Sequence, residues 1–168
     1  MSFSLYEASV LTFTASLDAI SGCLDKAAMH VEQRKLDPAV FLTFRLYPDM
    51  FDFTRQVQLT TDFAKGAGAR LAGVDIPKYD DVEKSFGELK QRITRAIAFL
   101  NALDRNAVEN GTDREIVMQI RGQTQTFKGR DFLMHRAIPN FFFHATTAYN
   151  ILRHNGVDLG KSDFVAKL

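Results

Sequence analysis

The stretch that decides the fold is Arg130–Val157, RDFLMHRAIPNFFFHATTAYNILRHNGV. Residues three and four positions apart share one face of a helix, and apolar residues recur at that spacing through most of the stretch. Asn155-Gly156 predicts a helix stop, because both residues readily take the left-handed backbone conformation. We therefore predict one long helix over 130–155. Its buried line is predicted to be Met134, Ile138, Phe141, Ala145, Ala148 and Leu152.

A second line on this helix carries polar side chains beside the apolar one. Asn140, His144 and Thr147 follow one another at spacings of four and three, so they border the buried stripe. Pro139 removes a backbone donor and crowds the preceding turn, and we expect a kink or a loosened turn just before His144. A loosened turn beside a buried polar trio is a suitable place for a site in a helical bundle.

Three earlier segments repeat the helical pattern. Their apolar residues alternate at steps of three and four, the seam of a packed bundle helix, and we predict long helices over 5–33, 48–72 and 80–104. Alternating residues between 113 and 128 indicate a small hairpin. With 168 residues and no repeat or linker, the chain is predicted to form one domain, 1–168. Its predicted fold class is all-α, a four-helix bundle with a β-hairpin before the last helix.

Capping residues indicate where the other helices begin. An Asp or Ser accepts a hydrogen bond from the first turn, and proline fits the first helical position because no donor is needed there. The predicted starts are Asp37-Pro38 for a short helix over 39–46, Pro48-Asp49 for the second long helix, and Asp80 with Glu83 for the third.

Composition narrows the range of functions. The chain has 21 basic and 20 acidic residues without a basic block, which argues against a nucleic-acid or anionic-membrane surface. The N-terminal segment has no positive run before its apolar residues, so we expect a soluble cytoplasmic protein. Cys23 lies beside the first apolar seam and is predicted to be a small buried thiol rather than a nucleophile. The polar face of the third long helix, including Arg92, is predicted to be solvated.

Polar residues on the second long helix are candidates to face the trio Asn140, His144 and Thr147 on the last one. Asp49, Asp52 and Gln56 are spaced by three and four, so they are best placed to face Asn140 and His144 across the bundle. In one interpretation, His144 is a core-edge imidazole that hydrogen-bonds Asn140 or an acid. In the other, His144, Asn140 and Asp49 form a degenerate metal or proton-transfer site. A lone histidine favours the first interpretation, because an amide oxygen is a weak third ligand for zinc.

Several phrases of the sequence resemble a known family. LYPDMF with RQVQ, AKGAGARLAG, PNFFFH and TTAYNILRHNGV resemble an uncharacterised branch of the DinB/YfiT-like four-helix-bundle superfamily, known only as a domain of unknown function. The likeness covers nearly the whole chain. It implies an up-down-down-up bundle, frequent dimerisation and, in many members, a divalent metal, here zinc or nickel. Some members are thiol-dependent transferases that use low-molecular-weight thiols.

The resemblance also implies where a metal would be held. Members normally use one His of the second long helix and a His-x-x-x-His pair on the fourth. By position, His144 matches the second His of the pair and Asn140 replaces the first. No His stands on the second long helix, where Asp49, Asp52 or Gln56 would have to serve. With these two ligands missing, we expect a metal that is weakly bound or absent.

Two functional hypotheses follow. The first is a small-ligand-binding or regulatory bundle without catalysis, and the second is a divalent-metal-dependent enzyme such as a thiol-dependent transferase. The missing histidines favour the first. We also expect a homodimer, because the rings of Phe141–Phe143 point three ways around a helix and one must meet something other than its own core. The candidate pocket residues are His144, Asn140, Asp49, Asp52, Gln56 and Thr147.

Overall fold

The computed structural model describes residues 3–165, so the first two and last three residues of the predicted domain lie outside it. Its elements are mostly helices, with one pair of strands before the last long helix. In chain order they are a π turn (Glu7–Leu11), α1 (Thr12–Arg34), α2 (Pro38–Thr43), α3 (Phe53–Ala72), α4 (Phe86–Asn101), α5 (Arg105–Glu109), β1 (Glu115–Ile120), β2 (Gln123–Lys128), α6 (Gly129–Phe132), a second π turn (Leu133–Ala137), α7 (Ile138–His154) and α8 (Lys161–Phe164).

Four of the helices are long and pack around a common core. Helix α1 packs against α4 and α7, and α3 packs against the same two, so α1 and α3 lie diagonally across the bundle. Large side chains from every long helix fill its centre, and the rings of Phe13 and Phe141 lie 4.7 Å apart. The predicted all-α bundle with a hairpin before its last helix is confirmed.

Helix α3 begins five residues after the predicted start at Pro48. Residues 47–50 form a turn instead, closed by the Met50 N–H bonding to the Tyr47 carbonyl at 3.0 Å. The cap is Asp52, whose Oδ1 accepts from the Arg55 N–H at 2.9 Å. The prediction was wrong because a second proper cap follows Pro48-Asp49 within four residues.

Helix α4 also begins later than predicted. Ser85 caps it, with Oγ accepting from the Glu88 N–H at 3.1 Å, so the predicted start at Asp80 is wrong. The segment containing Asp80 and Glu83 is not helical, and both residues bind Arg92 instead. By contrast, Asp37 caps α2 as predicted, accepting from Ala39 at 2.9 Å.

The decisive stretch of the sequence forms a nearly continuous helix, from α6 through the second π turn into α7. The loosened turn predicted from Pro139 is present, but it lies at Leu133–Ala137, directly before α7. A π turn holds one residue more than a regular turn, which rotates the residues before it relative to those after it. Met134, predicted to be buried, is therefore 40% exposed. The predicted stop is confirmed at Gly156, with φ +89°.

The hairpin is attached tightly at its base. Strands β1 and β2 pair antiparallel, and Arg121 and Gly122 make the tip with φ of 51° and 78°. A Cβ on Gly129 would lie 1.9 Å from the Gly111 carbonyl oxygen, and one on Gly111 would lie 2.3 Å from the Leu71 carbonyl oxygen. Only glycine allows these backbones to come so close, so both ends of the hairpin rest on α3.

Two further expectations concern the core and the membrane. Cys23 is buried as predicted, and burial, reinforced by the charge of Asp163, raises the pKa of its thiol to about 11. The thiolate needed for nucleophilic chemistry is therefore scarce. Within residues 3–165, the structure contains no helix that is both long and apolar enough to cross a membrane.

Candidate functional site

Helices α3 and α7 bring Gln56 and His144 into contact. The His144 Nδ1 lies 2.7 Å from the Gln56 Oε1, and the Gln56 Nε2 donates to the Phe51 carbonyl at 3.2 Å. That second bond holds the amide with its oxygen towards the imidazole. Because an amide oxygen only accepts, Nδ1 carries the proton and Nε2 carries the lone pair. Both side chains are buried, with Gln56 1% and His144 8% exposed.

Aromatic rings surround the imidazole of His144. It stacks on Phe63 with a centroid distance of 5.4 Å and an interplanar angle of 15°, and Phe143 meets it edge-on at 5.2 Å. Burial lowers the pKa of His144, and the positive charge of Arg55 lowers it further. At neutral pH the pair is therefore an uncharged hydrogen-bonded unit.

The other predicted pocket residues on α7 bind their own helix. The Asn140 amide donates to the Arg136 carbonyl at 2.7 Å, and the Thr147 hydroxyl donates to the Phe143 carbonyl at 2.7 Å. These bonds to the preceding turn satisfy both side chains. The polar trio thus shares one line as predicted, but of its members His144 alone has a bond across the bundle to α3.

The two acids predicted to face this line lie elsewhere. Asp49 is exposed in the turn before α3, because the helix that was to carry it starts at Phe53. Asp52 caps α3 and lies 3.8 Å from the Arg45 guanidinium. Gln56 occupies the position opposite His144, so one of the three predicted partners faces it.

A cleft of about 650 Å³ adjoins this pair. Phe51 connects the two, because its carbonyl binds Gln56 while its ring, 57% exposed, lines the cleft. The cleft lies between α2, the first turns of α3 and the segment before α4. Its lining combines apolar groups with charges of both signs: Ala39, Leu42, Thr43, Arg45, Phe51, Asp52, Thr54, Arg55, Gln58, Asp81, Glu83 and Lys84.

Charged groups in the cleft largely pair with one another. Arg55 bonds Asp81 at 2.5 Å and the Gln58 Oε1 at 3.2 Å, and Gln58 donates in turn to Glu83 at 2.8 Å. The charge of Arg55 is therefore balanced by Asp81, an acid of the segment before α4. The result is a balanced surface on which acidic and basic groups alternate.

Comparison with known proteins agrees with this architecture. A family model described as "Domain of unknown function (DUF1993)" matches residues 5–165. The chain belongs to the DUF1993 family. It is also similar to a protein of known crystal structure, described as a DinB family member from Shewanella denitrificans. The two share 40% identity over 98% of this chain and 93% of that chain, with a TM-score of 0.92. No match was found among curated proteins.

These findings confirm the resemblance to an uncharacterised DinB-like branch, so the metal implied by that resemblance can be tested against this DUF1993 chain. Within residues 3–165, no group of three or more His, Cys, Asp or Glu side chains is placed to hold a metal ion. His144 is the one imidazole at the site, Gln56 already bonds it, and Asn140 is committed to Arg136. Zinc sites need three or four such ligands. The donor set therefore does not fit the implied zinc or nickel.

A buried charged group of the DUF1993 bundle was missed by the sequence analysis. Arg92, predicted to be solvated, is 2% exposed. Its Nε donates to the Thr61 hydroxyl at 2.8 Å, and its Nη atoms bond Asp62 at 2.8 Å and Glu83 at 3.0 Å. Arg92 and the groups that contact its guanidinium are called the Arg92 cluster. It consists of Arg92 with Thr61, Asp62, Asp81, Glu83 and the Asp80 carbonyl.

The charge of Arg92 is stabilised by its neighbours. Burial opposes that charge, but the bond to Glu83 and the charges of Asp62, Glu83 and Asp81 outweigh it and raise the pKa of Arg92. Tyr79 covers the guanidinium with its ring at 5.4 Å. Two signals were available in the sequence, the acidic run at 80–83 and the spacing of Arg92 within the apolar line of α4.

Proposed function

We propose that this DUF1993 protein binds a small zwitterionic molecule with an apolar portion in the cleft beside the His144–Gln56 pair. The observation that supports the proposal is the cleft itself. Its volume of about 650 Å³ lies within the range of small-molecule sites, about 300–1,000 Å³. An exposed aromatic ring, Phe51, is placed among acidic and basic side chains, so both charges and the apolar part of such a ligand would have partners.

The His144–Gln56 pair supports the wall of this cleft. One chain of hydrogen bonds runs from the His144 imidazole through the Gln56 amide to the Phe51 backbone. A ligand that displaces Phe51 would therefore act on α7, which gives a route for regulation. The neutral, satisfied pair favours binding over the alternative, a divalent-metal-dependent enzyme such as a thiol-dependent transferase.

Amide chemical shifts of the ¹⁵N-labelled protein, titrated with free phenylalanine and with the dipeptide alanyl-phenylalanine, test the proposal. Both probes carry an ammonium, a carboxylate and an aromatic ring. We expect saturable shifts around Phe51, Arg55 and Lys84, and we expect Phe51→Ser to remove them. Val117→Ser, which changes an exposed apolar residue on β1, is the matched control and should leave them unchanged. Shifts that do not saturate, or that survive Phe51→Ser, would refute the proposal.

We also propose that the protein forms a homodimer through the exposed stripe of α7. Pro139, Phe143, Thr146 and Asn150 follow at steps of four, three and four, and all are exposed and uncharged. The centres of protein interfaces are poor in charged residues and rich in aromatic ones. The Phe143 ring, 57% exposed, would be the centre of such an interface.

Light scattering at micromolar concentration tests the dimer. We expect twice the chain mass for the unaltered protein and the mass of one chain for Phe143→Ser. Phe51→Ser, which removes an equally exposed ring from a different surface, should remain dimeric. A monomeric unaltered protein would refute the proposal.

A further inference from the structure

A second, smaller pocket of about 190 Å³ lies between α3, β1 and the beginning of the last long helix. It is distinct from the cleft, and no residue lines both. Its walls are mainly apolar, with Phe63 also stacking on His144. Three charged residues, Arg70, Arg136 and Asp62, complete the lining together with Leu59, Phe63, Ala67, Met118 and Phe132.

Arg136 has no partner for its charge among residues 3–165. Its Nε is buried without a hydrogen bond, and no acid within residues 3–165 forms an ion pair with its guanidinium. Buried polar atoms in folded proteins are nearly always hydrogen-bonded, and one left alone calls for an explanation. Arg136 is half-buried, whereas Arg153 at the end of α7 is exposed.

Arg70 adds a second guanidinium to the pocket. Its Nη1 donates to the Gly66 carbonyl at 3.0 Å, and a Cβ at Gly66 would lie 2.8 Å from that same nitrogen. The absence of a side chain at position 66 thus lets Arg70 fold back along α3. Its Cζ lies 5.9 Å from the Phe132 ring. Burial lowers the pKa of Arg70, and no acid of the residues that the structure describes offsets this effect.

The one acid in the pocket is already neutralised. Asp62 bonds Arg92 of α4 at 2.8 Å and Lys65 of α3 at 3.1 Å, and neither cation lines the pocket. The pocket therefore contains two arginines that have no carboxylate partner in the described part of the chain, enclosed by aromatic and aliphatic side chains. Its net character is positive and apolar at once.

We propose that this pocket binds a small organic carboxylate, with the carboxylate on the two guanidinium groups and a short apolar body against Phe63, Phe132 and Met118. The planar fork of arginine matches a carboxylate with two parallel hydrogen bonds. A bare inorganic anion would meet the charge but leave the apolar walls in contact with water. The volume, below that of drug-sized sites, restricts the ligand to the size of a single ring or a short chain. This site is additional to the cleft and does not depend on it.

Calorimetric titration with benzoate tests the assignment, with benzamide as the uncharged counterpart and inorganic phosphate as the simple anion. We expect saturable benzoate binding, and binding of the other two weaker by at least about tenfold, because each lacks one of the two recognised features. Comparable binding of phosphate would refute the apolar part of the proposal. Comparable binding of benzamide would refute the role of charge, and no saturable benzoate binding would refute the whole.

Variants of the two arginines locate the binding. Arg136→Gln should lower benzoate affinity by at least about tenfold, and Arg136→Lys, which keeps the charge but not the fork, should recover part of it. Arg70→Gln provides a second test should the helical circular dichroism of Arg136→Gln show misfolding. Arg153→Gln on the same helix is the matched control and should bind normally. Loss of benzoate binding in Phe51→Ser but not in the Arg136 variants would place benzoate in the cleft and refute this inference alone.

Discussion

The His144–Gln56 pair and the Arg92 cluster both join α3 to a neighbouring helix, with opposite chemistry. The pair is neutral and links α3 to α7 through one hydrogen bond of 2.7 Å. The cluster is charged and links α3 to α4 and to the segment before it, through contacts from one guanidinium to five residues. A buried charge must keep all its partners, whereas a neutral pair can separate at modest cost. The polar link of α3 is thus charged on the α4 side and neutral on the α7 side.

The largest effect is expected from breaking the cluster. Arg92→Met should lower the free energy of unfolding by about 3–5 kcal/mol, because it leaves Asp62 and Glu83 without their buried counter-charge. Urea denaturation followed by circular dichroism measures the loss. Arg95→Met is the matched control on the same helix. Arg95 is exposed and lies 4.3 Å from the Tyr79 ring, so its loss should amount to about 1 kcal/mol or less. Equal losses in the two variants would show that the cluster is not stabilised by its charges.

A smaller effect is expected from breaking the pair. His144→Ala should lower the free energy of unfolding by roughly 1–3 kcal/mol, because the buried Gln56 oxygen loses its hydrogen bond. The helical spectrum should be retained. His154→Ala changes an exposed histidine at the end of the same helix and should have an effect within about 0.5 kcal/mol. A loss for His144→Ala as large as that for Arg92→Met would remove the contrast between the two groups.

These two groups also mark what the sequence could and could not predict. Periodicity along one helix predicted that His144 borders the core, and spacing on α3 included Gln56 among its partners. The spacing of Arg92 within the apolar line of α4 was a signal of its burial, but local periodicity does not contain the contact of residues 80–83 with α4 that neutralises its charge. The start of α3 was predicted wrongly for a related reason, since Asp49 and Asp52 are both acceptable caps and tertiary packing selects between them.

The position of Arg136 had no local signal in the sequence, because its environment is assembled from α3, β1 and the second π turn.

The cap of α3 offers a finer test, because it fixes the first turn of the helix that carries Gln56. Asp52→Ala should lower the free energy of unfolding by about 1 kcal/mol, since the Arg55 N–H loses its acceptor. Asp49→Ala, three residues earlier in the exposed turn, should have an effect within about 0.5 kcal/mol. Thermal denaturation of the two variants side by side provides the measurement. A larger loss of stability for Asp49→Ala than for Asp52→Ala would show that α3 begins at Pro48-Asp49, as the sequence predicted.

The smallest change in the free energy of unfolding is expected from pH. The His144–Gln56 pair and the Arg92 cluster should lose stability over different pH ranges in the unaltered protein. The pKa of His144 is lowered by burial and then by Arg55, so the unfolded chain takes up this proton at a higher pH than the folded protein does. The stability that His144 contributes is therefore present above about pH 6.5 and is lost as pH falls from there towards the folded pKa. We expect the urea midpoint of the unaltered protein to decline as pH falls below about 6.5, and that of His144→Gln to stay constant over the same range.

The cluster should respond at lower pH. Burial tends to raise the pKa of Glu83, but hydrogen bonds from Gln58 and Arg92 prevail and lower it. Its contribution is therefore present above the unfolded pKa of about 4.5 and is lost as pH falls below that value through the folded pKa. Glu83→Gln should remove this acid-range decline and leave the His144 window in place. A single shared transition in both variants would indicate that the two groups act as one.

The contact between Gly111 and Gly129 makes the hairpin an arm with a fixed base. Its tip, Arg121-Gly122, is exposed, and lengthening a loop there adds little closure entropy. A foreign peptide inserted at the tip would extend the arm while the four long helices keep their packing. The molecule is thus suited to presenting grafted loops, such as epitopes or recognition peptides, on a small helical carrier. The two glycines at the base are the positions that such a graft must leave untouched.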